Sequence, residues 1–200
     1  MTSELRVATA QLARMRGMNA SYHRRFFLDI QFSVVVIVAL AIAGFSGIEE
    51  VFLLGPFVAL LGAAQTAFDA SYLIFSRHYA TALERRINRE LGSEVLVANR
   101  LEEDYLFPLN KTKVVTLTSG RGFTWFGFMT AFYTLLGIAA FVAAIALGWE
   151  VLIDAGGVVT TVYLAVLGVL VAITLATGFW WFVGGEGERR LATILSDYGA

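Results

Sequence analysis

The chain has no cysteine, and only two histidines and two prolines among 200 residues. Without a thiol there is no disulfide framework, thiolate zinc site, iron–sulfur cluster or thiol nucleophile. Charge is also scarce. Asp, Glu, Lys and Arg make up 16%, against roughly 25% in a typical soluble domain. The net charge of −1 leaves no basic excess, so nucleic acid is not expected as a partner. Catalytic signatures are missing as well. There is no P-loop, no His-Glu-x-x-His, no Gly-x-Ser-x-Gly and no Gly-x-Gly-Asp, so no enzyme and no cofactor are expected. The two histidines, His23 and His78, each sit just outside an apolar run. Headgroup contact is their ordinary role, and no metal site is expected from them.

What the chain has is apolar surface. Hydrophobic residues make up 58%, with sixteen Phe, and the mean hydropathy is +0.69. Such a chain cannot remain solvated and disordered. The apolar residues fall in four nearly charge-free runs: 26–45, 51–75, 122–147 and 157–183. A bilayer core of about 30 Å takes roughly 20 helical residues, and each run is that long. Four such runs cannot all be interior in a chain of this size. The first is no cleavable signal, because charged sequence precedes it and Glu49 and Glu50 follow it.

Basic residues set the expected orientation. All fifteen Lys and Arg lie in segments 1–25, 76–121 and 184–200. The connections 46–50 and 148–156 have none, and carry Glu49, Glu50, Glu150 and Asp154 instead. The positive-inside rule then puts both termini and the central segment in the cytoplasm, in a plasma (inner) membrane. Trp125, Trp180 and Trp181 sit at expected inner boundaries and Trp149 at an outer one.

The fold class expected is an all-α integral membrane protein of four transmembrane helices in two antiparallel hairpins, 26–75 and 122–183. A cytoplasmic extension accompanies them. Residues 4–16 read as an amphipathic helix through Leu5, Ala8, Leu12 and Met15, with Gly17 ending or bending it. The second run continues through Tyr79, Leu83, Ile87 and Leu91 to a stop at Gly92. Its stripe needs cover from the N-terminal helix, another copy, or residues 93–120. Segments 94–98 and 113–118 are compatible with a short β-hairpin. Ser46-Gly47-Ile48-Glu49 matches a capping box for the second run, with a kink expected at Pro56. The tail, 188–198, reads as a short amphipathic helix behind Gly184, Gly185 and Gly187.

Charge inside a span is costly and often functional. Asp29 and Asp69 are the two cases. Arg25, one turn before Asp29, is positioned for a boundary ion pair. Asp69 is deeper, with Gln65 one turn before it and Thr66 adjacent. Asp69, Gln65, Thr66 and Asp29 are therefore the expected ion or substrate path. Gly55, Ala59, Ala63, Ala67 and Ser71 recur every fourth residue, a close helix-packing face. Two functions fit. One is a homo-oligomeric cation or proton channel or transporter lined by Asp69. The other is a non-catalytic membrane adaptor, sensor or effector that binds a soluble cytoplasmic protein through its extension. The two differ at Asp69: a channel needs it wet, an adaptor needs it sealed. Membrane lipid is the expected environment of both.

Overall fold

The computed structural model describes residues 3–98, 101–102 and 125–197. Among them every regular element is helical. In order these are α1 (Ser3–Phe45), a 3₁₀ turn (Glu49–Leu54), α2 (Gly55–Leu91), α3 (Trp125–Leu147), α4 (Trp149–Asp154), α5 (Gly157–Gly178), a π-turn (Phe179–Val183) and α6 (Glu186–Asp197). Four helical stretches are long and apolar enough to cross a membrane: Ser3–Phe45, Glu49–Leu91, Phe128–Leu147 and Gly157–Val183.

Gly17 does not end the N-terminal helix. α1 is one helix of 43 residues. A mid-helix glycine costs about 1 kcal/mol against alanine, and the packing of the residues on either side outweighs that. Both long helices stop where glycine takes a left-handed conformation. Gly47 has φ +103° and Gly92 φ +66°. At Gly47 the Ile48 N–H donates to the Ala43 carbonyl at 3.2 Å, and the Gly47 N–H to Gly44 at 3.1 Å. At Gly92 the Ser93 N–H reaches Asn88, and the Gly92 N–H reaches Arg89. Both are Schellman closures. The Ser46 segment therefore finishes α1 rather than capping the next helix. The Ser46 hydroxyl donates back to Ile42 at 2.7 Å, and Ile48 at the start of the 3₁₀ turn makes no side-chain cap. Pro56 falls at the second residue of α2, where its missing N–H leaves no bond unmade.

Contacts divide the chain into two compact units. The first comprises Met1–Phe26, Phe68–Met129 and Trp180–Ala200, the second Phe27–Ala67 and Thr130–Phe179.

In the second unit, the connection 148–156 is not a plain loop. It folds as α4, which packs on the 3₁₀ turn and on α5. Leu152 of α4 is fully buried, and its carbonyl accepts from the Thr160 hydroxyl at 2.6 Å. The Tyr163 hydroxyl donates to the Leu53 carbonyl at 2.8 Å, and its ring stands perpendicular to Phe57. Gly55 sits so close to α3 that an added Cβ would lie 2.5 Å from Ala144 Cβ. Alanine there gains about 1 kcal/mol of helix propensity but overpacks at a cost of about 1–3 kcal/mol. Gly55→Ala is expected to lower stability by about 1 kcal/mol net, read as a lower melting temperature in detergent.

The first unit contains a helix pair, formed by the N-terminal part of α1 and the C-terminal part of α2. On α1 the residues Leu5, Ala8, Leu12, Met15, Asn19, Tyr22 and Phe26 alternate spacings of three and four. On α2 Asp69, Leu73, Ser76, Ala80, Leu83 and Ile87 do the same. Every one of them is buried or half-buried. That 3.5-residue repeat is a coiled-coil seam. Leu5, Ala8, Leu12 and Met15 pack with Ala80, Leu83 and Ile87 as one cluster. So α1, with Leu96 packed beside it, covers the α2 stripe, which the sequence left open among three candidates. The fours-only stripe expected on α2 drifts off this seam, and Leu91 ends 47% exposed.

No strand forms over residues 94–97. Asn88 holds that segment instead. Its side-chain oxygen accepts from the Val95 and Leu96 N–H groups, and its amide donates to the Leu96 carbonyl at 2.8 Å. These bonds satisfy backbone groups that a ladder would otherwise use. The segment 113–118 lies outside the described residues.

Candidate functional site

The polar groups of the helix pair lie on and beside its seam. Asp69 is 0% exposed, and Ser76, Arg77, Thr81 and Glu84 are also buried. The Ser76 hydroxyl donates to Asn19 Oδ1 at 3.3 Å and to the Leu73 carbonyl at 3.1 Å. Tyr22 stacks on Tyr72 with centroids 4.4 Å apart. Arg16 meets Glu84 at 2.6 Å on one flank of the seam. On the other flank Arg86 meets Glu4 at 3.5 Å, and the Tyr79 hydroxyl donates to Gln11 at 3.2 Å. A polar pair within a coiled-coil seam fixes register at some cost in stability, and Asn19–Ser76 is such a pair.

His23 lies beside this array. Burial, and then the positive charge of Arg77, hold its pKa below the ordinary 6.5, with Glu102 opposing. A histidine whose folded pKa is depressed contributes stability that is fully present above the unfolded value. That contribution is lost as pH falls through 6.5 toward the folded value. The helix pair is expected to melt at a lower temperature at about pH 5.5 than at about pH 7.5. His23→Gln should remove part of that difference, as followed by circular dichroism.

The residues expected to form a path are distributed as follows. Asp69 belongs to the first unit, as an enclosed position of the seam. Gln65, Thr66 and Asp29 belong to the second. Gln65 is half-buried. The Thr66 hydroxyl donates to the Gly62 carbonyl one turn back, which turns it onto its own helix. Asp29 is half-buried, and its backbone carbonyl accepts from the Ser33 hydroxyl at 2.8 Å. Arg25 lies over the Tyr22 ring, 5.9 Å from the centroid. Of the small-residue face, Gly55 is buried, Ala59, Ala67 and Ser71 are half-buried, and Ala63 is exposed. Gly62, outside that face, is also closely approached: an added Cβ there would meet the Ser33 hydroxyl at 2.7 Å. Among the described residues no group of three or more His, Cys, Asp or Glu is arranged to hold a metal.

The outer surface of the helix pair is strongly basic. Arg6, Arg14, Arg24, Arg25, Arg85 and Arg89 are exposed. None of them forms an ion pair among the described residues. At the other end of the chain Arg190 lies over Trp180 and Trp181, at 5.5 and 5.6 Å. There Glu186 is held below the usual carboxylate range by hydrogen bonds from Arg190 and Arg189.

Sequence reasoning missed Arg77, Glu84, Asn19 and Ser76 as interior groups. The signal that locates Asn19 and Ser76 is the alternating three–four spacing, extended through the polar positions. Comparison with protein-family models, with curated proteins and with solved structures finds no match.

Proposed function

We propose that the protein is a non-catalytic membrane adaptor. In this reading four spans in two hairpins anchor it in the plasma (inner) membrane with both termini in the cytoplasm. The α1–α2 helix pair stands on the cytoplasmic side and presents its arginines to a soluble protein. The observation that carries the reading is the burial of Asp69, 0% exposed within one chain. Assembly with further copies covers surface and never uncovers it, so an oligomer does not wet this carboxylate. A conducting path through Asp69 would require the helix pair to separate. The basic surface supports the sidedness by the positive-inside rule, and its exposed arginines supply something to read.

The test is reconstitution into liposomes with potassium and proton gradients. The adaptor reading expects tight vesicles with correctly inserted protein. Ion flux that Asp69→Asn reduces overturns it in favour of a homo-oligomeric cation or proton channel.

A further inference from the structure

Arg24 and Arg25 immediately precede Phe26, where the first apolar run begins. Both are exposed. Neither pairs with a carboxylate among the described residues, so the boundary ion pair for which Arg25 and Asp29 are spaced does not form. The Arg25 guanidinium lies over the Tyr22 ring instead, 5.9 Å from its centroid. Tyr22 stacks on Tyr72 of α2, with the rings only 6° from parallel. Tyr72 in turn packs edge-on with Phe68, centroids 4.9 Å apart. One row thus crosses the helix pair, from a cation to a phenyl ring, and all of it lies in the first unit. Phe68 is one turn, about 6 Å, deeper in the second apolar run than Tyr72, and it is 51% exposed. The row therefore grades from charge, through two phenols, to bare hydrocarbon.

We infer that this row binds an anionic phospholipid of the cytoplasmic leaflet. The phosphate sits against Arg25 and Arg24, the tyrosines lie at the level of the glycerol, and an acyl chain lies on Phe68. The inference rests on the spans and sidedness of the reading above, and not on the choice between adaptor and channel. Guanidinium binds phosphate oxygens in bidentate fashion. Tyrosine prefers the membrane–water boundary, where one end of the ring is wet. A zwitterionic headgroup carries an ammonium, which two unpaired arginines meet as a like charge, so the net-negative headgroup is favoured. The other exposed arginines of α1 do not share this position. Arg14 and Arg6 lie about 18 and about 30 Å along the helix from Phe26, beyond the roughly 8 Å screening length at physiological salt. A soluble protein does not reach Phe68 within the apolar run. A second copy fits poorly too. It shares the membrane orientation, so a two-fold contact here sets Arg25 against Arg25 at one depth.

The test uses the full chain in nanodiscs of equal phosphatidylglycerol and phosphatidylcholine. Native mass spectrometry counts the lipids that stay bound on release. The expected result is an enrichment of phosphatidylglycerol by about twentyfold, cut about fivefold by Arg24→Gln and about fivefold by Arg25→Gln. Arg6→Gln with Arg14→Gln removes as much charge as those two together and should change the enrichment by no more than about twofold. All four positions are exposed, so the melting temperature should hold. Equal retention of the two lipids, or an equal loss with the Arg6 and Arg14 variants, overturns the inference. Displacement of the lipid by excess inorganic phosphate assigns the site to a soluble anion and overturns it too. The readout does not depend on ion flux, so failure here leaves the adaptor reading standing. Flux reduced by Asp69→Asn overturns that reading alone.

Discussion

Leu83→Asp is expected to separate the α1–α2 helix pair while leaving the apolar spans inserted. Leu83 is 3% exposed and packs in the cluster with Leu5, Leu12, Met15 and Ile87. Removing a buried leucine alone costs about 2–5 kcal/mol. Placing a carboxylate in that seam adds a desolvation cost with no cation on the seam itself to meet it. The total, about 4 kcal/mol or more, is a large part of what a short helix pair has. An isolated helix is marginal without a packed face. Hydrogen exchange should therefore rise by about three orders of magnitude over residues 5–15 and 80–87. Protection of residues 30–42 should be unchanged. Leu83→Ala is the graded version, with the same pattern at smaller amplitude. Equal loss in the spans would mean that the two units do not open separately.

Arg16→Ala is expected to cost more than Glu84→Gln, although the two remove the same ion pair. The side chains are unequal: Arg16 is 43% exposed and Glu84 only 4%. Removing Arg16 leaves a carboxylate enclosed with its nearest cation gone, a loss of about 2 kcal/mol. That is below the usual range for a buried pair because one partner is half in water. Removing the charge of Glu84 returns Arg16 to solvent, and glutamine retains an acceptor, so the loss is about 1 kcal/mol or less. Melting temperatures of the two variants and the double variant give the coupling directly. Equal losses would mean that Glu84 is not desolvated in the folded chain.

The four long apolar stretches were legible in the sequence because a bilayer imposes a length that a count of charge-free residues detects. The continuity of α1 was not, because the cost of Gly17 is local while the packing that outweighs it comes from α2. The segment at Ser46 carries two compatible signals, a capping box and a glycine stop. Only the backbone at Gly47, with its positive φ, decides between them. Glu94–Ala98 has strand composition, but the Asn88 amide meets its backbone groups first. The fold of 149–154 as a helix follows from burying Leu152, which composition does not reveal.

At the candidate site Asp69 was identifiable as an acid within an apolar run. Its placement came from a periodicity that was only partly read. Spacings of four from Tyr79 lead off the seam by Leu91. Alternating threes and fours lead from Ile87 back through Ser76 to Asp69. An interior polar group such as Glu84 looks like surface charge, since its partner Arg16 stands 68 residues away in sequence.

Because the chain has no cysteine, one introduced thiol reports its own surroundings. Asp69→Cys in the reconstituted protein, with Arg14→Cys as the exposed reference, tests whether position 69 is sealed. A water-soluble maleimide should label position 14 within minutes and leave position 69 unmodified until detergent unfolds the chain. Labelling of position 69 at the rate of position 14 in the folded protein would contradict a sealed seam, and with it the reading of the helix pair as a docking stalk rather than part of a conduit.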